Sequence, residues 1–159
     1  MKESDVEEII RDHILKEYLP KGWKYTKINE KLKKRSEHGP DITLYNPKKG
    51  DYILIEVKKW SNTCAANHNS FYCLFGQLLS RINKTPSEIY SKRKKMVIAV
   101  PKEYTQLIAK KSKKMVGGWE LFGKMTNLRI WSVDMKKKEI TKYHWKDFLN
   151  NKINKSKEE

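Results

Sequence analysis

The chain has 159 residues, with 35 Lys and Arg against 19 Asp and Glu, for a formal charge of +16. That length suits one domain with a real core and is cramped for two. The charge favours a polyanionic partner, most commonly nucleic acid, and there is no apolar run of the roughly 18 residues that a membrane span needs.

The N-terminus, MKESDVEEII, lacks the basic-then-apolar pattern of a secretory signal. Cys64 and Cys73 are too few for a disulfide scaffold. An intracellular location, cytoplasm or nucleoid, is expected. Residues 4–19 read as a helix: Val6, Ile9, Ile10, Ile14 and Tyr18 recur at helical spacing, Ser4 can cap the start with Glu7 as its capping-box partner, and Pro20 and Gly22 end it. A first strand is expected over 23–33. DITLY and DYILIEVK, separated by a Pro/Gly turn, read as a β-hairpin. The stretch SNTCAANHN reads as a loop, and 70–83 as a helix with Phe71, Leu74, Phe75, Leu78 and Ile82 on one stripe. MVIAV at 96–100 has the wholly apolar character of a buried central strand. A basic helix over about 103–114 follows, then Gly117 and Gly118, a strand at NLRIWSV and a pairing partner at EITKYHW. The expectation is one α/β domain over 1–150 around a mixed sheet, with a polar, frayed tail over 151–159.

The hairpin contains acids where apolar residues are expected. If Asn46 pairs with Asp51 across a four-residue PKKG loop, then Tyr45 meets Tyr52, Thr43 meets Leu54 and Asp41 meets Glu56. Directly opposed residues have Cβ atoms about 4.5–5.5 Å apart. Lys58, two residues past Glu56, falls on the same side. Ile42, Leu44, Ile53, Ile55 and Val57 form the opposite, core-facing side, and a one-residue slip would put that side in water. Two carboxylates this close repel unless one is protonated or a cation sits between them. Hard oxygen ligands suit Mg²⁺ or Mn²⁺, and an adjacent ammonium can stabilise charge growing on a phosphate.

Gly39-Pro40-Asp41 followed by Glu56-Val57-Lys58 on the next strand resembles the PD-(D/E)XK nuclease superfamily, which includes restriction enzymes and archaeal Holliday junction resolvases. The element order over residues 4–100, roughly two thirds of the chain, matches that superfamily's core of helix, three antiparallel strands, helix and strand. The resemblance implies a restriction-endonuclease-like α/β fold and Mg²⁺- or Mn²⁺-dependent hydrolysis of phosphodiester bonds in DNA; structure-directed cleavage at junctions or flaps suits a small basic chain, with restriction-type and single-strand cleavage as the alternatives. A homodimer follows from the same likeness. It implies Asp41, Glu56 and Lys58 as catalytic residues, with Asp41, Glu56 and the Val57 carbonyl as metal ligands. It also implies a first-helix glutamate in the metal shell. Glu7 lies within the arc of Ile10, Ile14 and Tyr18 and Glu8 nearer the helix edge, which favours Glu7, although Glu7 can equally complete the capping box. Gln77 occupies the place of an accessory glutamine, and His38, just before Gly39, can contact a phosphate.

Asp134-Met135-Lys136 repeats the D-x-K spacing but has no acid on a hairpin partner upstream. The loose spacing of Cys64, His68 and Cys73 does not make a zinc site. Lys33, Lys34 and Arg35, Lys92, Arg93 and Lys94, and Lys59 beside the acids are the candidate backbone contacts for nucleic acid, with Trp60 either stacking on a base or packing at the core rim. The rival reading is a nucleic-acid-binding protein of the same fold whose acids do no chemistry.

Overall fold

The computed structural model of the chain describes residues 1–26, 41–82, 94–150 and 153. Its elements in chain order are α1 (Glu3–Glu17), a 3₁₀ turn (Leu19–Lys21), β1 (Lys24–Tyr25), β2 (Ile42–Asn46), β3 (Asp51–Val57), α2 (Cys64–Ile82), β4 (Lys94–Pro101), α3 (Lys102–Lys114), α4 (Val116–Thr126), β5 (Arg129–Asp134), β6 (Glu139–His144) and a 3₁₀ turn (Trp145–Phe148). The six strands form one sheet in sequential order. β1, β2 and β3 are antiparallel, β3, β4 and β5 parallel, and β5 and β6 antiparallel again. This is a mixed α/β architecture, as expected from the sequence.

Connectivity explains the layering. A parallel step needs a crossover, and crossovers are right-handed. The steps β3→β4 and β4→β5 run in the same direction across the sheet, so α2 and the α3–α4 pair fall on the same face. There Leu54, Met96, Ile98, Val100 and Ile130 pack against Phe71, Leu74, Leu78, Ile108, Trp119 and Phe122. The other face belongs to α1: Val6, Ile9, Ile10 and Ile14 cover Ile42, Leu44, Ile53, Ile55, Val57, Val97 and Ala99. β4 therefore contributes to both cores, which accounts for its unbroken apolar run.

Several boundaries differ from the sequence expectation. The cap of α1 is Lys2, whose N–H donates to the Asp5 carboxylate at 2.8 Å, so Ser4 and Glu7 do not cap it. The first strand is only two residues long where it is described, and residues 27–33 lie outside the described residues. α2 begins at Cys64, inside the stretch expected to be a loop. The Thr63 hydroxyl accepts the Ala66 N–H at 3.3 Å and caps the start. Asn67 clasps Ser61 through both its N–H and its C=O, at 2.8 and 2.9 Å. Gly117 and Gly118 lie within α4 rather than in a turn. Of the tail, Ile153 is buried in the core, 3% exposed, and the other residues from 151 onward lie outside the described set.

α4 docks closely on the final turn. The Trp119 indole N–H donates to the Trp145 carbonyl at 2.9 Å. A Cβ built on Gly123 would stand 2.5 Å from Trp145 Cγ and Cδ2, and Trp145 is buried. Gly118 has open space around it. Gly123→Ala is expected to lower stability by about 1–3 kcal/mol through overpacking. Gly118→Ala is expected to raise it by up to about 1 kcal/mol through helix propensity. Urea denaturation of the two variants checks this, and equal effects would contradict the Gly123–Trp145 contact.

Candidate active site

The hairpin register is the one that the alternation of residues dictates. Asn46 pairs with Asp51, Tyr45 with Tyr52, Thr43 with Leu54 and Ile42 with Ile55. Local chemistry at the turn pins it. The Asn46 side-chain oxygen accepts the N–H groups of Lys48 and Lys49 at 3.1 and 3.2 Å. Gly50, at φ 67°, returns the chain so that its own N–H reaches the Asn46 carbonyl at 2.8 Å. Continued by one step, the register sets Asp41, just before β2, opposite Glu56.

The acids meet there. The Val57 N–H donates to Asp41 Oδ2 at 2.7 Å, and Lys58 Nζ lies 3.3 Å from Glu56 Oε1. Glu56 is 2% exposed, and the Lys58 side chain 15%. Burial, and then the charge of Glu56, push the Asp41 carboxyl up to about 6, against the pull of the Val57 N–H and of Lys58. Asp41, Glu56 and Lys58 thus form one electrostatic unit at the C-terminal end of β3.

The acids of α1 are engaged in different ways. Glu7 is held by Arg11 at 2.7 Å, and the guanidinium lies over the Tyr25 ring. Glu8 is exposed and, with Asp5, Asp12 and Lys16, lines a cavity of about 630 Å³ between α1 and the β5–β6 hairpin; none of Asp41, Glu56 and Lys58 lines it. The α1 carboxylate that acts on Asp41 is Glu3, which raises its pKa further. Sequence reasoning missed Glu3 because it started the helix one residue late. With the start at Glu3, that residue falls one turn before Glu7 and on the side of Val6 and Ile10.

Tyr104 is a second residue the sequence did not single out. It is fully buried on α3, and its hydroxyl shares a hydrogen bond with Ser70 of α2 at 3.1 Å. Burial pushes its pKa up to about 12, with smaller contributions from Cys73 and Glu3. Trp60 packs edge-on against Tyr104 and takes the core-rim place, not a free stacking surface.

The remaining candidates are separated from the acids or lie outside the described residues. Lys59 is exposed directly after Lys58. Lys94 pairs with Tyr52 at the opposite end of β3, about 15–20 Å along the strand from Val57. Gln77 is exposed on α2, where its carbonyl accepts the Ser80 hydroxyl. His38, Lys33, Lys34, Arg35, Lys92 and Arg93 lie outside the described residues. Asp134, in the second D-x-K, is a turn former whose carboxylate accepts the Lys136 and Lys137 N–H groups. Cys64 and Cys73 are both free and exposed.

Among the described residues, no three or more His, Cys, Asp or Glu are grouped as a metal cage. A pair of carboxylates suffices for Mg²⁺, which keeps most of its waters. Burial and the neighbouring Glu56 carboxylate both disfavour the charged form of Asp41, an effect that a bound divalent ion would oppose. Among the described residues, no helix is long and apolar enough to cross a membrane.

No family model and no curated protein matches the sequence. Two solved structures resemble the fold. One is an fdxN element excision controlling factor protein from Anabaena variabilis, with a TM-score of 0.50 and 15% identity over 89% of this chain and 98% of that one. The other is an XisH family protein from Nostoc punctiforme, with a TM-score of 0.48 and 14% identity over 86% of this chain and 96% of that one. At such identities the likeness is one of fold.

The electrostatics of Asp41 carry a stability prediction. With an unfolded value near 3.8 and a folded value of about 6, the folded state holds the proton more tightly. Its contribution is complete below pH 3.8, declines as pH rises to about 6, and is gone above that. Asp41→Asn keeps an oxygen for the Val57 N–H and removes the charge. In EDTA at pH 8 it is expected to stabilise the fold by on the order of 2 kcal/mol, a gain that vanishes by about pH 4. Urea melts at both pH values test this; a variant less stable than the wild type at pH 8 would contradict the carboxylate repulsion.

Proposed function

We propose that the chain is a metal-dependent nuclease with a restriction-endonuclease-like core, hydrolysing phosphodiester bonds in DNA. The observation that carries this reading is half-buried Asp41 set opposite buried Glu56, with the Lys58 ammonium beside Glu56 and the Asp41 pKa raised by burial and then by the Glu56 charge.

Asp41 and Glu56 would bind Mg²⁺ or Mn²⁺, with Glu3 in place of Glu7 as the α1 acid next to them. The Val57 N–H orients Asp41, and its carbonyl is the further ligand that the resemblance implies. The bound ion would supply positive charge against the scissile phosphate and make water a better nucleophile. Lys58, released from Glu56 when the ion takes over that carboxylate, would face the phosphate and stabilise its developing charge. The net charge of +16 and the exposed Lys59 beside the site favour a nucleic-acid backbone as substrate. Cleavage directed by shape, at a junction or flap, suits a chain in which no separate reading domain is evident.

Plasmid, single-stranded and four-way-junction DNA, each incubated with Mg²⁺, Mn²⁺ or EDTA, test the proposal. Wild type should cut only with metal, and Asp41→Asn and Lys58→Gln should each lose about a hundredfold or more in rate while retaining DNA binding. Calorimetry should show Mn²⁺ binding to the wild type and its loss in Asp41→Asn. Equal cutting by the wild type and both variants would remove the assignment. DNA binding by the wild type without cutting under any metal would favour the binding-protein reading.

A further inference from the structure

The sheet face that carries the acids is covered over only part of its width. α2, α3 and α4 pack there on β3, β4 and β5, and among the described residues no side chain of β1 or β2 belongs to that core. The alternation that puts Asp41 and Glu56 on this face puts Tyr45 and Tyr52 on it too. The register aligns them in one row across the strands: Lys24 opposite Tyr45, Tyr45 opposite Tyr52, and Tyr52 beside Lys94. The two rings lie against each other, with centroids 4.7 Å apart and planes 32° from parallel. Tyr52 is 41% exposed, Tyr45 is half-buried, and Lys24 is exposed at the outer edge.

The same face leads from the rings to the acids. Thr26 and Thr43 form the next row, where the Thr26 N–H donates to the Thr43 carbonyl at 3.1 Å. Glu56 lies four residues beyond Tyr52 on β3, about 13 Å along the strand. Among the described residues of β1, β2 and β3, no carboxylate stands on this face between the tyrosine row and the Asp41–Glu56 pair. Lys48 and Lys49 are exposed at the turn on the other side of the rings. An aromatic pair with cations on its flanks fits a polyanion whose own groups are flat.

We propose that Tyr45 and Tyr52 are a stacking platform for the bases of an unpaired nucleic-acid strand that runs along β2 and β3 toward Asp41 and Glu56. A base within a duplex has both faces taken by its neighbours, so tyrosines on a sheet can stack only on an unpaired one. Stacking of this kind accepts any base, while Lys24 meets the phosphates. At about 3.4 Å per stacked nucleotide, the interval from Tyr52 to Glu56 holds roughly four. The proposal rests on the nuclease reading for what happens at the acids, but not for the binding. It narrows the substrate of that site to a flap, tail or gap with unpaired bases.

Fluorescence anisotropy of a labelled single strand of about 15 nucleotides, in EDTA so that nothing is cut, tests the binding with the full chain. A variant carrying both Tyr45→Thr and Tyr52→Thr keeps strand-forming residues without the rings. It should raise the dissociation constant for the single strand about tenfold or more, and that for a blunt duplex of the same length by less than twofold. The duplex supplies the same charge without free bases, and its binding shows that the variant is folded. Tyr45→Phe with Tyr52→Phe keeps the rings and should bind the single strand as the wild type does. Lys24→Gln should lower the salt dependence of single-strand binding by about one counterion. A wild type that does not bind the single strand, a Thr variant that binds it unchanged, or one that loses strand and duplex alike would each overturn the platform. In Mg²⁺, below the dissociation constant, equal cutting of the single strand by the wild type and the Thr variant would also overturn it. The expected binding without cutting of any substrate would remove the nuclease reading and uphold the platform.

Discussion

Repulsion between Asp41 and Glu56 is the constraint around which this molecule is organised. The hairpin register sets the two acids side by side, and burial denies them the water that would screen them. The fold partly offsets the cost with a backbone N–H on one acid and an ammonium on the other. The Asp41 carboxyl nevertheless stays above the usual carboxylate range, chiefly through burial.

The sheet and its covering layers hold the site at one end of the parallel strands. Because the two crossovers lie on the same face, the strand ends at Val57 and Pro101 come together with the first turn of α3, which places Tyr104 near Ser70 and Trp60. Ligands of open α/β sheets commonly lie outside the carboxyl ends of the strands. The cavity between α1 and the β5–β6 hairpin opens at the same edge of the sheet, beside the end of β5, and none of Asp41, Glu56 and Lys58 lines it.

Where a strict period governed, the sequence was readable. Alternation along 42–46 and 51–57, with one side wholly apolar, excludes a one-residue slip, and the Asn46–Gly50 turn selects among the registers that remain. The central position of β4 was equally plain, because a run apolar on both sides must be covered on both. Helix starts were harder. α2 starts early because Thr63 and Asn67 form local hydrogen bonds that hydrophobic spacing does not reveal. α4 forms in spite of its glycine pair because Trp119, Phe122 and Thr126 give it a buried face. The start of α1 at Glu3 rather than Ser4 is a shift of a single residue. Glu7 looked misplaced within an apolar arc until Arg11, one turn later, was seen to neutralise it. Lys94 falls at the far end of β3 from the acids, because β4 runs parallel to β3.

The Asn46–Gly50 turn has a consequence for how this chain can vary. Its length sets parity across the whole hairpin: one residue more or less would swap inward and outward positions on one arm, sending Asp41 to the side of Ile55. Lengthening in pairs would preserve the alternation but slide the acids diagonally past each other. Pro47, Lys48 and Lys49 can therefore be decorated or recharged, while Gly50 keeps its left-handed backbone and the number of loop residues stays fixed.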